Sequence, residues 1–120
     1  MPILFKSSFY AAQNRKEKTS PNEYALLGNY PNPFNPSTTI SYSLPFESEV
    51  SITIYDLTGS IIKSFVPSNQ SAGYKNLLWD GRNNYGQLVT SGVYIYTIKA
   101  VSLEGNGKSF AKSSKVMLLK

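Results

Sequence analysis

WDGRNNYGQLVTSGVYIY, from Trp79 to Tyr96, is the stretch of sequence that decides the fold. Trp79 closes a short apolar run, which Asp80 and Gly81 interrupt, because aspartate bonds its own downstream backbone and glycine adopts positive φ. From Gly92 onward the residues are mainly β-branched or aromatic, which predicts a strand. The whole stretch is therefore interpreted as one long-armed β-hairpin.

The strand that begins at Gly92 has one face suited to a core. Side chains alternate between the two faces of a strand, so every second residue shares a face. The face predicted to be buried carries Tyr94, Tyr96, Ile98 and Ala100. Trp79 is predicted to be the central core aromatic.

Other segments show the same alternation between turn residues. The strands predicted from it span residues 38–44, 50–55, 60–66, 75–79 and 108–120, with a loop at 67–73. The other residues predicted to face the core are Ile40, Tyr42, Leu44, Val50, Ile52, Ile54 and Leu77. Pro31, Pro33 and Pro36 exclude a helix from residues 30–37, which are predicted to be an extended, rigid entry.

These segments together predict an all-β fold. Short strands separated by regular turns, without helical periodicity, are typical of a sandwich. We predict an Ig-like antiparallel β-sandwich of about seven strands over residues 24–120. Residues 1–23 are interpreted as a linker or N-terminal extension. Alternatively, residues 3–10 add as a strand to an exposed sheet edge, their own or a neighbour's.

The composition excludes most catalytic chemistry. The chain has no Cys and no His, which removes thiol and imidazole groups as nucleophiles, bases or metal ligands. Its seven carboxylates fall mainly in turns and tails and form no glycosidase-type pair. The loop from Asp80 does not fit a calcium site, because its third residue is Arg82 and its sixth is Tyr85, where glycine is needed. We predict no enzyme: no catalytic residue, no cofactor and no metal site.

Charge and hydropathy exclude two further classes. The net charge is +5, but the twelve Lys and Arg residues are scattered, so we predict no nucleic-acid binding. No window approaches the ~20 apolar residues of a membrane span, and residues 1–18 lack the apolar region of a signal peptide. Export would use information elsewhere, or the chain is a piece of a longer precursor.

The nine tyrosines leave a carbohydrate-binding module open, because exposed aromatic rings can stack on sugars. Three of them lie on faces predicted to be buried: Tyr42, Tyr94 and Tyr96. The exposed candidates are therefore Tyr55, Tyr74 and Tyr85.

The last predicted strand ends in a segment that is apolar on both faces, Val116 to Leu119. Such a strand is central in its sheet or covered by a partner. Its edge is expected to be unpaired, which suits strand addition to a receptor.

Several motifs occur together in the order of a known family. They are NYPNPFNPSTTISYSLP from Asn29, VSITIYDLTGSII from Val50, LLWDGRNNYGQLVTSGVYIYTIKA from Leu77, and KVMLLK from Lys115. This succession resembles the type A C-terminal sorting domains of type IX secretion cargo over residues 27–120. The Ig-like domain of the flagellar hook-capping protein is similar through IYDLTG and WDG…GVY, but it lacks the proline-rich entry paired with a terminal basic-apolar strand.

The resemblance implies a non-catalytic signal that directs an exported bacterial protein to the cell surface. Such domains act after transit through the periplasm and are recognised by an outer-membrane secretion translocon and its shuttle proteins. A sortase-like peptidase cuts before the domain, here before Leu27, and attaches the cargo to surface lipopolysaccharide. The product would be secreted or held at the cell surface.

The family motifs also imply a set of receptor-recognition candidates. These are Pro31, Asn32 and Pro33 in the entry, Gly92 and Tyr94 in the glycine-aromatic motif, and Lys115, Val116, Met117, Leu118, Leu119 and Lys120 at the terminus. A purely structural role would also explain each residue singly, as a shaped entry, a bulge or core filling.

A native start at Met1 would leave the domain without a cargo to sort. The alternative is then an extracellular structural Ig-like subunit, in which residues 3–10 pair with the next copy's sheet edge. A homo-oligomer would grow by this strand addition.

Overall fold

Two antiparallel sheets make up residues 21–120, the part of the chain that the computed structural model describes. Seven strands, β1 to β7, span Ala25–Tyr30, Thr38–Leu44, Ser48–Tyr55, Ile61–Gln70, Gly73–Trp79, Gly92–Ser102 and Ser109–Leu118. One sheet has the order β1-β2-β5, and the other has the order β4-β3-β6-β7. The predicted all-β, Ig-like antiparallel sandwich is confirmed.

The core lies between the two sheets and is built by the predicted alternation. The predicted face of β6 is buried at all four positions, and so is Trp79. The predicted inward residues of β2 and β3 are buried as well: Ile40, Tyr42, Leu44, Val50, Ile52 and Ile54. Each large apolar side chain buried in this way contributes about 1.5–3 kcal/mol to stability, so these positions account for much of the folding energy.

The stretch from Trp79 to Tyr96 is not a hairpin, so that prediction is wrong. Its two strands, β5 and β6, lie in different sheets, and residues 80–91 cross between them. The rings of Trp79 and Tyr94 meet across the core instead, edge to face, with centroids 5.6 Å apart. Local turn and strand chemistry does not specify which sheet a strand joins, because that depends on its packing partners.

The largest differences from the predicted strands concern β1 and β4. β1 is a strand that the sequence analysis misses, because a register shift between Leu26 and Gly28 interrupts its alternation. β4 continues through Pro67 to Gln70, into the predicted loop. It lies at the edge of its sheet, where a proline without an N–H group is tolerated.

The last strand, β7, is an edge strand and not a central one, which corrects one of the two interpretations of its apolar end. Val116 and Leu118 are buried, whereas Met117 and Leu119 are 39% and 52% exposed. The apolar segment therefore has one core face. Residues 31–37, predicted to be an extended entry, form the loop that joins β1 to β2.

Candidate functional site

Three motifs that are far apart in the sequence meet at one end of the sandwich. The loop of residues 31–37, here called the proline loop, lies against the end of β7. In the ladder between β6 and β7, Gly92 pairs with Leu118 and Tyr94 pairs with Val116. The entry, glycine-aromatic and terminal motifs therefore form one continuous region of the molecule.

The proline loop binds the outer edge of β7 through backbone hydrogen bonds. The N–H of Phe34 donates to the carbonyl of Met117 at 2.8 Å, and the N–H of Leu119 donates to the carbonyl of Phe34 at 3.0 Å. The N–H of Met117 donates to Oδ1 of Asn32 at 3.1 Å. The edge that the sequence analysis expects to be unpaired is thus occupied at Met117 and Leu119 by the chain itself.

Phe34 carries this contact into the core. Its side chain is 1% exposed, and its ring centroid lies 5.2 Å from that of Trp79. Tyr94 also packs against Trp79, edge to face, and donates its hydroxyl to the carbonyl of Thr90 at 2.6 Å. Trp79 donates its Nε1–H to the carbonyl of Arg82 at 2.9 Å. The three rings, here called the aromatic cluster, seal this end of the core.

Phe34 is the residue that the candidate set leaves out. The motif residues chosen from the resemblance stop at Pro33, whereas the structure makes Phe34 the anchor of the proline loop. The available signal was a single aromatic residue within a run of Pro, Asn and Ser, since a loop has no need of such a side chain unless it is buried.

A chain of side-chain hydrogen bonds ties the proline loop to β6. Oγ1 of Thr38 donates to the carbonyl of Pro31 at 2.8 Å, and Nδ2 of Asn29 donates to Oγ1 of Thr38 at 3.0 Å. The hydroxyl of Tyr96 donates to Oδ1 of Asn29 at 3.2 Å. Burial raises the pKa of Tyr96, which keeps its hydroxyl protonated as a donor. The proline loop is therefore tied to β6 through Pro31 and to β7 through Asn32 and Phe34.

The candidate residues divide into two groups by exposure, apart from Gly92, which is half-buried. Tyr94, Val116 and Leu118 are buried and support the fold. The residues that a receptor can reach are Pro31, Asn32, Pro33, Lys115, Met117, Leu119 and Lys120. The exposed candidates therefore lie in the proline loop and at four positions of the terminal segment.

Two hollows flank the junction between the proline loop and β7. One has a volume of about 220 Å³ and is lined by Asn32, Val93, Lys115, Val116 and Met117. The other has a volume of about 160 Å³ and is lined by Asn35, Pro36, Gly81, Leu88, Leu118 and Lys120. Each lining combines apolar residues with one asparagine and one lysine, a chemistry suited to an extended peptide.

The loop of residues 80–91 shows turn chemistry. Oδ1 of Asp80 accepts the N–H of Arg82 at 3.1 Å, and Oδ1 of Asn83 accepts the N–H groups of Tyr85 and Gln87 at 2.9 and 3.0 Å. Within residues 21–120, no three acidic side chains are grouped so that they could hold a metal ion. Among the same residues, no helix is long and apolar enough to cross a membrane.

Two of the three tyrosines predicted to be exposed, Tyr55 and Tyr74, do not share one platform for a sugar. Tyr74 and Tyr85 are 55% and 87% exposed, as predicted, but Tyr55 is half-buried. Tyr74 lies on β5 and Tyr55 on β3, which belong to different sheets.

The prediction that residues 3–10 add as a strand concerns residues outside the described range, so it stays a prediction.

Gly81 allows the 80–91 loop to approach the proline loop. Its φ is +75°, and a Cβ built there would lie 2.9 Å from the carbonyl oxygen of Pro36. We expect Gly81→Ala to destabilise the fold by about 1–2 kcal/mol through the left-handed backbone and by about 1–3 kcal/mol more through the clash. Urea unfolding measures the loss.

Gly86→Ala is the matched control for this change. Gly86 has a φ of +80°, but nothing lies within 4 Å of a Cβ there. It should therefore show the backbone cost alone, about 1–2 kcal/mol. Equal losses in the two variants would contradict a close approach between the two loops.

Comparison with known families gives a match over most of the sandwich. The model of the FlgD Ig-like domain matches residues 35–105, more than half of the chain. No curated protein matches the sequence.

Solved structures show the same fold. A dimeric latent PorU from Porphyromonas gingivalis aligns at a TM-score of 0.62 and 23% identity, over 76% of this chain and 9% of that one. FlgD from P. aeruginosa aligns at 0.55 and 23% identity, over 68% of this chain and 61% of that one. PorZ, described as an essential surface component of the type IX secretion system of P. gingivalis, aligns at 0.44 and 23% identity, over 77% of this chain and 11% of that one, too weakly to bear on fold or function. The chain thus spans less than two thirds of each of these proteins.

Proposed function

The chain belongs to the FlgD Ig-like domain family, and from that premise we propose that it is a non-catalytic C-terminal signal, which directs an exported bacterial protein through the type IX secretion system to the cell surface. One observation carries the proposal. The three motifs that resemble those of sorting domains form a single region, joined by the bonds of Asn32 and Phe34 to Met117 and Leu119.

The limits of the family match favour sorting over a hook-capping role. Residues 35–105 contain the shared sandwich, but they exclude Pro31 to Phe34 and all of β7. These excluded segments bind each other and build the exposed part of the site. They are also the segments by which sorting domains differ from the hook-capping domain, according to the resemblance.

The partners follow from this proposal. The exposed candidates would contact the outer-membrane translocon and its shuttle proteins, and the cargo would reach the surface after passing the periplasm. A sortase-like peptidase would cut upstream of Tyr24. The predicted limit, Leu27, lies inside β1, and Tyr24 already stacks on Phe110 with ring centroids 5.6 Å apart. A peptidase needs an extended segment free of such pairing.

A fusion experiment tests the proposal. Residues 24–120 are joined behind a periplasmic reporter in a bacterium with a type IX system, and protease accessibility on intact cells measures surface display. We expect the reporter at the surface. An intact, folded fusion that stays in the periplasm would contradict the sorting function.

Two matched asparagine variants separate recognition from folding in this assay. Asn32→Ala alters the exposed motif and removes the acceptor for Met117, so we expect most of the reporter to stay in the periplasm. Asn76→Ala makes the same change on β5, where the Asn76 side chain, within residues 21–120, bonds only Ser41 at the surface, and should leave display unchanged. Protease resistance of the purified domains checks that both variants fold.

A further inference from the structure

The outer edge of β7 is open along part of its length, and we infer that residues 109–115 of this edge bind an extended acidic strand of a partner protein by backbone pairing. This inference deepens the proposed function, since it names the surface and the chemistry by which a receptor would hold the domain, and its biological meaning rests on that function. The stretch of residues 109–115 is called the open edge below.

The direction of the backbone groups defines the open edge. Successive residues of a strand point their N–H and C=O groups to opposite sides. The carbonyl of Lys108 accepts from Ser102 on the β6 side, whereas Met117 bonds Phe34 on the outer side. The backbone N–H and C=O groups of the odd-numbered residues of β7 therefore point to the outer side, away from β6. Within residues 21–120, no backbone group of Ser109, Ala111, Ser113 or Lys115 on this side has a hydrogen-bond partner.

The proline loop shows that this edge accepts an added segment. Phe34 forms a parallel bridge with Leu118, with both of its backbone groups bonded. The same side of β7 continues without interruption from Met117 back to Ser109, because its register with β6 has no shift. A partner strand would extend the pairing that Phe34 begins, over about 20 Å at strand spacing.

A hollow lies at each end of the open edge. The hollow of about 220 Å³ beside the proline loop includes Lys115 and Met117 in its lining. At the other end, a hollow of about 360 Å³ is lined by Asn22, Glu23, Tyr24, Pro45, Phe46, Lys108 and Ser109. In strand addition, the backbone supplies affinity while pockets take alternate side chains. An added strand of this length would reach both hollows with the side chains at its two ends.

The charges along the edge favour an acidic partner. Lys108, Lys112 and Lys115 are exposed on or beside the open edge, and Glu23 adds one negative charge at its start. β1, which contacts β7 from the other sheet, carries no charged residue. A second copy of β7, paired antiparallel and centred on residue 112, would place Lys112 against its own equivalent, and like charges opposite each other are destabilising. Opposite charges on the added strand and on β7 are stabilising, so we infer that the partner strand is acidic.

Hydrogen exchange on the full chain, followed by NMR, tests the inference. The probe is a blocked seven-residue peptide in which valine alternates with glutamate. Before it is added, the amides of Ala111, Ser113 and Lys115 should exchange fast, and those of Lys112 and Ser114 should exchange slowly in the ladder with β6. With the peptide, the three fast amides should become protected, with saturable shifts. A counterpart peptide with lysine for glutamate should not bind.

Two lysine reversals serve as a matched pair. Lys112→Glu should weaken binding of the acidic peptide about fivefold, the upper range for one surface charge pair. Lys63→Glu lies on β4, three strands away across the sheet, beyond the screening length of about 8–10 Å, and should change binding by less than about twofold. Both substitutions change side chains and not the backbone ladder, and circular dichroism checks that both variants fold.

Four results would overturn the inference. The first is the absence of saturable binding, and the second is equal binding of the lysine peptide. The third is slow exchange at the three outward amides in the free chain, which would show that the chain covers its own edge. The fourth is a dimer, detected by light scattering, whose interface protects these amides. Peptide binding without surface display of the fusion would leave the open edge standing and remove the sorting function. Display without peptide binding would do the reverse.

Discussion

Replacing Trp79 by alanine is expected to lower the free energy of unfolding by about 3–5 kcal/mol. The side chain is 1% exposed and touches both other rings of the aromatic cluster. Its removal leaves a cavity at the end of the core and deprives the carbonyl of Arg82 of a donor at 2.9 Å. A domain of this size is stabilised by only about 5–15 kcal/mol in total, so the loss is a large share. Urea unfolding followed by circular dichroism measures it.

Tyr85→Ala is the control for Trp79→Ala. Tyr85 is an aromatic residue of the neighbouring loop, but it is 87% exposed, and its removal should cost less than about 0.5 kcal/mol. A loss below about 1 kcal/mol in Trp79→Ala would contradict the position of Trp79 in the core.

Phe34→Ala is expected to have the second large effect, again about 3–5 kcal/mol. The ring fills the space between the proline loop and Trp79. Its loss should also release the proline loop from β7, because the ring anchors the backbone that bonds Met117 and Leu119. We therefore expect the amides of these two residues to lose protection from hydrogen exchange, while the β7 amides that bond β6, such as those of Lys112 and Ser114, keep it.

Tyr30→Ala provides the matched control for Phe34→Ala. Tyr30 ends β1 beside the same loop but is 82% exposed, so the change should cost less than about 0.5 kcal/mol and leave the two amides protected. If Phe34→Ala cost no more than this, the proline loop would be a surface feature and not the seal of the core.

The strands were predictable where alternation is regular and turn residues mark the ends. β2 is predicted at both ends, and the buried faces of β3 and β6 are predicted position by position, because a period of two combined with β-branched residues is characteristic of a strand with one buried face. β1 was not predictable in this way, because the register shift at Gly28 interrupts the period. The pairing of β5 with β2 depends on contacts distant in sequence, which no local pattern reports.

The candidate site was predictable in its parts but not in its arrangement. The resemblance identifies the residues of all three motifs, yet no spacing indicates that Asn32 and Met117, 85 positions apart, are bonded. The expected open edge at Met117 and Leu119 was wrong because the proline loop supplies the missing bonds. Exposure, which separates contact residues from core residues within KVMLLK, follows from which face of β7 meets the core.

The parallel bridge between Phe34 and Leu118 has a consequence for folding during synthesis. Phe34 leaves the ribosome early, but both partners of its backbone, Met117 and Leu119, are translated more than 80 positions later. Contacts of such long range form late in folding. Until residue 119 emerges, Phe34 lacks the backbone bonds that fix the proline loop to β7, so we expect a chain interrupted before that point to expose apolar surface of the kind that chaperones and proteases bind. The proline loop can therefore dock fully on β7 only after residue 119 has been translated.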